Sequence, residues 1–259
     1  MIDSSAIIDP SAKLAADVSV GPYTVIGANV EVGAGTWIGP HVVLKGRTKI
    51  GCNNKIFQFS SIGVEPQDLK YKGEDTLLEI GDNNIIREFC TIHRGTVPGG
   101  GVTHIGNNNF IMEYIHIAHD CNIGNQVILT NNVSLAGHVT IQDHAILAAY
   151  VIAVQFCTIG AHSFITARTG LPKDVPPYIL VSDYHKGIAK PYGLNIVGLK
   201  RKGFSDETIR NLKRAYRVIY RENLTLKEAL SKLQDMVADC PEIGLFIDIL
   251  QKTERGIVR

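Results

Sequence analysis

From Ile105 to Leu171 an aliphatic residue returns every sixth position: Ile105, Ile111, Ile117, Ile123, Leu129, Leu135, Ile141, Leu147, Ala153, Ile159, Ile165 and Leu171. The same spacing runs from Ile2 through Ile8, Leu14, Val20, Ile26, Val32, Ile38, Leu44, Ile50 and Ile56 to Ile62. A helix asks for apolar residues at three and four, a strand at two, and a sustained six fits neither. It fits a parallel β-helix of hexapeptides, in which each short strand forms one side of a triangular coil. Three hexapeptides close a coil, so a residue stacks on the one eighteen further along, about 4.8 Å away.

The rest of the hexapeptide agrees. The residue after the aliphatic is often glycine (Gly21, Gly27, Gly33, Gly106, Gly124, Gly160), and Gly, Asn and Asp suit corners that need positive φ. A small or β-branched residue stands four after the aliphatic (Val30, Val42, Thr48, Cys121, Val133), as a narrow prism requires. The register breaks twice. Asp68 and Glu74 fall at inward positions, where a carboxylate would be buried unpaired, so residues 64–78 read as an excursion from the prism. Ile80, Ile86 and Ile92 resume the pattern, and the stretch GTVPGGGVT, residues 95–103, is a second excursion that resets the phase. Loops that interrupt a regular solenoid often carry function.

At 259 residues the chain reads as one mainly β repeat domain (1–172), a proline-punctuated connecting segment (173–204) and an α-helical C-terminal domain (205–259). Ser205 caps a helix with Ile209, Leu212, Ala215, Tyr216 and Ile219 on one face; Thr225 and Glu228 form a capping box; Cys240-Pro241-Glu242 opens a third helix carrying Ile243, Phe246, Ile247 and Leu250. Such helices can cover the open last coil, whose unpaired edges invite aggregation. A net charge of +1 argues against a nucleic-acid partner. No apolar run approaches the roughly 20 residues of a transmembrane helix. The chain opens on a repeat with no signal peptide, and its five cysteines, odd in number and without metal-type spacing, point to a reducing cytoplasmic compartment.

Chemistry concentrates in the histidines. By the coil spacing His119, Gly137 and Gln155 form one column and Asp120 and His138 the adjacent one, with His116 three residues before His119. A base, a backbone N–H at a glycine and an amide converge on a small patch. That set suits acyl transfer, in which a base deprotonates a hydroxyl while an N–H holds the developing oxyanion. Imidazole suits the base because its ordinary pKa is near 6.5.

The segments IGVEPQDLKY, TIHRGT, HIAHDCNIGN, LAGHVTI, VQFCTIGAH, DVPPY and GLKRKGFS resemble the UDP-N-acetylglucosamine acyltransferases over almost the whole chain. The resemblance implies a left-handed β-helix and a homotrimer with sites between subunits. It implies transfer of a 3-hydroxyacyl chain from the phosphopantetheine thioester of acyl carrier protein to the sugar 3-hydroxyl of UDP-N-acetylglucosamine, the first step of lipid A synthesis. Direct attack on the thioester is expected, with no covalent acyl-enzyme, no metal and no further cofactor. His119 would be the general base, Asp120 its partner and Gly137 the oxyanion donor. Asp68 and Lys70 would hold the sugar and the hydroxyacyl group; His116, His138 and Gln155 would line the sugar and pantetheine side. His93, His185, Asn195 and Arg201 complete the substrate-binding set, His93, Asn195 and Arg201 facing the nucleotide. An Arg fork suits a diphosphate.

Three departures from the family pattern bear on the acceptor: Val154 stands where His is usual, Val197 where Glu is common, and VSDYHKGIAKPYG is longer than usual. Acylation of the 3-amino analogue of the sugar is therefore an alternative. Ala167 aligns with the position that closes the acyl groove and points to a chain of roughly 12–14 carbons, selected by steric closure because a methylene contributes only about 0.8 kcal/mol. The basic run Lys200, Arg201, Lys202, Lys213, Arg214, Arg217 and Arg221 is either a solvated helix face or a dock for the acidic carrier protein. Competing readings are an N-acyltransferase of the same pathway, which normally carries an extra N-terminal domain, a zinc hydratase built on His116, His119 and His138, and a non-enzymatic scaffold.

Overall fold

The computed structural model describes residues 1–183 and 189–259. Short strands, most of them two residues long, assemble into three parallel sheets that form the faces of a prism. Face 1 starts with Ile7–Ile8 and ends with Gly170–Leu171, face 2 runs from Lys13–Leu14 to Thr158–Ile159, and face 3 starts with Ser19–Val20. The coil spacing is seen directly: Ile117 pairs with Leu135 and Leu135 with Ala153. The aliphatic of each hexapeptide points inward, and from Ile105 to Leu171 none is more than 1% exposed. The first coil is looser, with Ile2 50% exposed.

The corners correct one expectation. Positive φ is carried mainly by a non-glycine residue at each corner, among them Asn108, Tyr114, Asp120, Asn132, His138 and Phe156. The glycine that follows the aliphatic mostly serves another end. A Cβ on Gly33 would sit 2.7 Å from the Gly51 carbonyl, and one on Gly106 2.6 Å from the Gly124 carbonyl oxygen. These glycines let successive coils touch backbone to backbone. Buried Asn54, Asn84 and Asn109 add a ladder that the hexapeptide pattern did not disclose. Each Oδ1 accepts the N–H of the coil beyond, from Asn84, Asn109 and Val127, at 2.7–2.9 Å, and each Nδ2 donates to a glycine carbonyl.

The two excursions span residues 65–76 and 95–101. The second ends two residues earlier than the register suggested, because Val102 and Thr103 lie in strand and pair with Leu77 and Leu78. The prism also outlasts Leu171. Val175 bridges to Ile159, and Ile179–Ser182 pairs in parallel with Phe164–Ile165. Lys190–Leu194 then closes face 3 as an antiparallel strand. The prolines interrupt the repeat, but Val175, Ile179 and Val181 still point inward with 0% exposure.

Four helices follow: α1 (Ile196–Arg201), α2 (Asp206–Tyr220), α3 (Leu226–Val237) and α4 (Gly244–Lys252). Asn195, Ser205 and Thr225 cap the first three, Thr225 with the reciprocal Glu228 contact of a capping box. Helix α1 falls inside the segment read as a connector. The apolar faces of α2 and α4 are buried, and Phe246 packs edge-on to Tyr178 at 5.4 Å, so the helices seal the last coil. Among the described residues no helix is long and apolar enough to cross a membrane.

Candidate active site

The corner between faces 1 and 2 is where the repeat is spent on something other than itself. Both excursions leave the prism there, one after Ser61–Val64 and one after Thr91–His93. The next three coils turn the same corner with His119-Asp120, Gly137-His138 and Gln155-Phe156. The His138 N–H donates to the His119 carbonyl at 3.0 Å and the Phe156 N–H to the Gly137 carbonyl at 3.2 Å. The column His119, Gly137, Gln155 therefore exists as the spacing predicts.

His119 and Asp120 meet although they are sequence neighbours. In a strand they would point to opposite faces; at a corner the positive φ of Asp120, 60°, swings its carboxylate back. His119 Nδ1 lies 2.7 Å from Asp120 Oδ2. The Asp120 side chain is 1% exposed. Excursion 95–101 supplies the rest of its partners: the Thr96 N–H donates to Oδ1 at 2.7 Å and the Thr96 hydroxyl to Oδ2 at 2.6 Å. The Asp120 N–H in turn donates to the Thr103 hydroxyl. With Nδ1–H committed to a carboxylate, Nε2 is the free lone pair of the ring.

That ring lies against Gly137. A Cβ there would stand 2.6 Å from His119 Cε1 and 2.9 Å from Nε2, so any side chain would cover the imidazole. Among the described residues the Gly137 N–H reaches no backbone carbonyl.

Further histidines border the pair. His138 Nε2 is 3.6 Å from Asp120 Oδ2, and its ring stacks on Phe156 at 4.4 Å. Burial holds His138 below the ordinary imidazole pKa, against the opposing pull of the Asp120 and Asp68 carboxylates. Asp68 on the first excursion is thus close enough to act on this corner; its Oδ1 accepts the Lys70 N–H, and the Lys70 side chain is exposed. His116 and His93 sit edge to face at 5.3 Å, both pushed down by burial. His116 Nδ1 bonds the Thr91 hydroxyl, and His93 Nδ1 bonds the Glu65 carbonyl while its buried Nε2 has no partner among the described residues. His119, Asp120 and His138 bring three ligand-type atoms within 4.8 Å. The Asp120 oxygens are already held by three hydrogen bonds and His119 Nδ1 is one of the donors, which makes the cluster a hydrogen-bonded network.

Not every expected residue joins this corner. Gln155 does, exposed two coils beyond His119, but Ala167 lies exposed at the corner between faces 3 and 1. Asn195 lies by the corner between faces 2 and 3: its Nδ2 donates to the His162 carbonyl and its Oδ1 caps α1 through the Gly198 N–H. Arg201 ends α1, next to Lys202, whose Nζ donates to Gln126 on that same corner. His185 lies outside the described residues. The sequence reading used His93 of TIHRGT and passed over its Arg94 and Thr96. Arg94 is buried, and its guanidinium bonds the Gly63 carbonyl and the Tyr71 hydroxyl, pinning the first excursion to the prism. The signal available was polar residues placed where one excursion begins.

The comparisons with known proteins agree with this geometry. Residues 174–258 match the family model described as Udp N-acetylglucosamine O-acyltransferase, domain 2. The acyl-[acyl-carrier-protein]--UDP-N-acetylglucosamine O-acyltransferase of Stutzerimonas stutzeri is 53% identical over 259 residues, covering 100% of this chain and 99% of the relative. The corresponding protein of Thiobacillus denitrificans is 53% identical over 258 residues, with the same coverage. Among solved structures, the UDP-N-acetylglucosamine acyltransferase of Francisella novicida superposes with a TM-score of 0.97 at 46% identity, covering 100% of this chain and 94% of that one. LpxA of Acinetobacter baumannii gives 0.96 at 49% identity, covering 100% and 99%. The prism is accordingly a left-handed parallel β-helix. With its full length matched and its histidine corner in place, the chain belongs to the UDP-N-acetylglucosamine O-acyltransferase family.

Proposed function

We propose that this chain transfers a 3-hydroxyacyl group from acyl carrier protein to the 3-hydroxyl of UDP-N-acetylglucosamine, the first step of lipid A synthesis. The observation that carries the reading is the His119–Asp120 pair at 2.7 Å, its ring lying against the N–H-bearing Gly137. His119 Nε2 takes the proton of the sugar 3-hydroxyl as that oxygen attacks the thioester carbonyl. The Gly137 N–H donates to the oxyanion that forms. Collapse breaks the carbon–sulfur bond, and the proton on Nε2 passes to the departing pantetheine sulfur, leaving an ester and a thiol. An acyl-enzyme on cysteine is disfavoured by the same corner: burial pushes the Cys121 thiol up to about 12, far from the thiolate a nucleophile needs.

Asp68 and Lys70 close over the corner from the first excursion, and His116, His138 and Gln155 line the approach. Asn195 and Arg201 serve the nucleotide of a site completed by a second copy of the chain. The outer rows support association. Face 2 presents Lys13, Glu31, Lys49 and Glu79, whereas face 3 presents Trp37, Lys55 and then the unbroken apolar run Ile85, Phe110, Ile128, Ile146 and Phe164. An apolar row of that length suits a subunit interface, and a trimer around it would show in sedimentation at three times the chain mass. The exposed cations Lys200, Arg201, Lys202, Lys213, Arg214, Arg217 and Arg221 form the dock for the acidic carrier protein.

The test is incubation with 3-hydroxyacyl carrier proteins of several lengths and UDP-N-acetylglucosamine, read by mass spectrometry. Product with a limit near 12–14 carbons supports the reading and the closing role of Ala167. Val154 and Val197 are exposed, at 38% and 62%, where polar contacts to the acceptor would be needed. Product formed only with the 3-amino sugar would move the assignment to that acceptor.

A further inference from the structure

A carboxylate buried as deeply as that of Asp120 takes up a proton unless donors hold it as the anion. His119 supplies one donor. The others come from a single residue of the second excursion, and both are charge-assisted bonds, the strong kind. Thr96 is 4% exposed, so water does not replace it. The loop is shaped for this contact: Gly99 presses so closely on Asp120 that a Cβ there would lie 2.1 Å from the carboxyl carbon. The loop also bonds itself shut, the Gly99 and Gly101 N–H groups both donating to the Thr96 carbonyl.

We propose that Thr96 is a positioning residue for the reaction. Its hydroxyl and amide hold Asp120 as an anion, so that His119 keeps its proton on Nδ1 and its lone pair on Nε2. The inference rests on His119 as the base. It gives excursion 95–101 a task that a tolerated insertion would lack. Without the hydroxyl, Asp120 is easier to protonate and Oδ2 is a stronger acceptor for a protonated ring. Both effects move the loss of free base to higher pH. The other charged or titratable groups facing the pair are His138, with Asp68 beyond it, the buried Cys121 thiol, and His93, itself flanked by His116 and Arg94. The Thr96 exchange leaves all of them in place.

The test compares Thr96→Val, which keeps shape and the amide but loses the hydroxyl, with Thr96→Ser, which keeps the hydroxyl. Thr96→Val is expected to lower kcat about tenfold or more, the rate equivalent of one hydrogen bond to a charged group. KM for both substrates should stay within twofold, and the acid limb of the kcat/KM profile should move to higher pH. Thr96→Ser should restore both. In nitrogen-15 spectra of His119, the parent should show the Nδ1–H form and Thr96→Val a mixture of the two tautomers. An unchanged acid limb and tautomer in Thr96→Val would overturn the proposal. So would an equal loss in both variants accompanied by a lowered Tm, which marks a packing role. The spectra need no turnover: if the parent transfers no acyl group, the acyltransferase reading fails, while the tautomer comparison still decides the role of Thr96.

Discussion

Two corners of the same prism treat the same backbone group in opposite ways. At the corner between faces 2 and 3, each coil offers a side chain to the N–H of the coil before it. The N–H groups of Cys52, Asp82, Asn107 and Asn125 are taken by Asp82, Asn107, Asn125 and Asp143 at 2.6–2.8 Å. The matching positions at the corner between faces 1 and 2 are His119, Gly137 and Gln155. There the carboxylate is turned onto an imidazole, and the glycine N–H finds no backbone acceptor among the described residues. A repeat that satisfies itself is a scaffold; chemistry begins where the side chains stop serving the next coil.

The contrast can be broken or sharpened by experiment. The largest effect is expected from His119→Ala, which should lower kcat about a thousandfold with little change in Tm, since a general base contributes roughly 10²–10⁴. Wild-type turnover would remove the functional corner altogether. Asn84→Leu strikes the ladder inside the prism. It strands the buried Asn109 N–H and Gly106 carbonyl, and should cost about 3 kcal/mol in denaturant unfolding, at roughly 1–3 kcal/mol per orphaned group. Arg94→Met frees the first excursion and should raise KM for the sugar nucleotide about tenfold with kcat less affected, a loss of about 1.4 kcal/mol in binding. Asn125→Ala at the self-satisfied corner should cost only about 1 kcal/mol, because water reaches the released Asn107 N–H, and should leave kcat unchanged.

An effect of similar size is a pH dependence. His162, beneath the helical domain, is pushed down to about 4, first by burial and then by His144 and Lys202. The fold therefore favours its neutral form. Above pH 6.5, the ordinary value, that preference costs nothing. As pH falls from 6.5 toward 4 the unfolded chain takes up a proton that the folded chain refuses, so stability is lost across that window. Allowing for its partial exposure, the loss should be roughly 1–2 kcal/mol, and His162→Gln should flatten this part of the Tm profile.

The period of six was legible because it is written in one residue type: inward aliphatics must repeat wherever the coil does. The column of His119, Gly137 and Gln155 followed from that period alone. Contacts that cross an excursion were not legible. Asn54, Asn84, Asn109 and Val127 form one ladder, yet they stand 30, 25 and 18 residues apart, so a fixed spacing cannot find them. Thr96 meets Asp120 across 24 residues for the same reason. Nor does spacing say that Asp120 turns back on His119, because that depends on a corner dihedral and not on a strand. Helix α1 escaped because its cap, Asn195, had been assigned to the nucleotide, and six residues are too few to show a period.

The three-coil bookkeeping of neighbours has a consequence for length. The contacts described for the histidine corner lie at or beyond Gly63, on coils stacked by translation along one axis. Removing one whole coil ahead of that point would shorten the rod by about 4.8 Å and return each later residue to the same surroundings. Removing a single hexapeptide would instead turn everything before it by one face, and carry the charged row of Lys13 and Glu31 onto the apolar side. Rod length in this fold is therefore free to vary, but only by whole coils, eighteen residues each where no excursion interrupts.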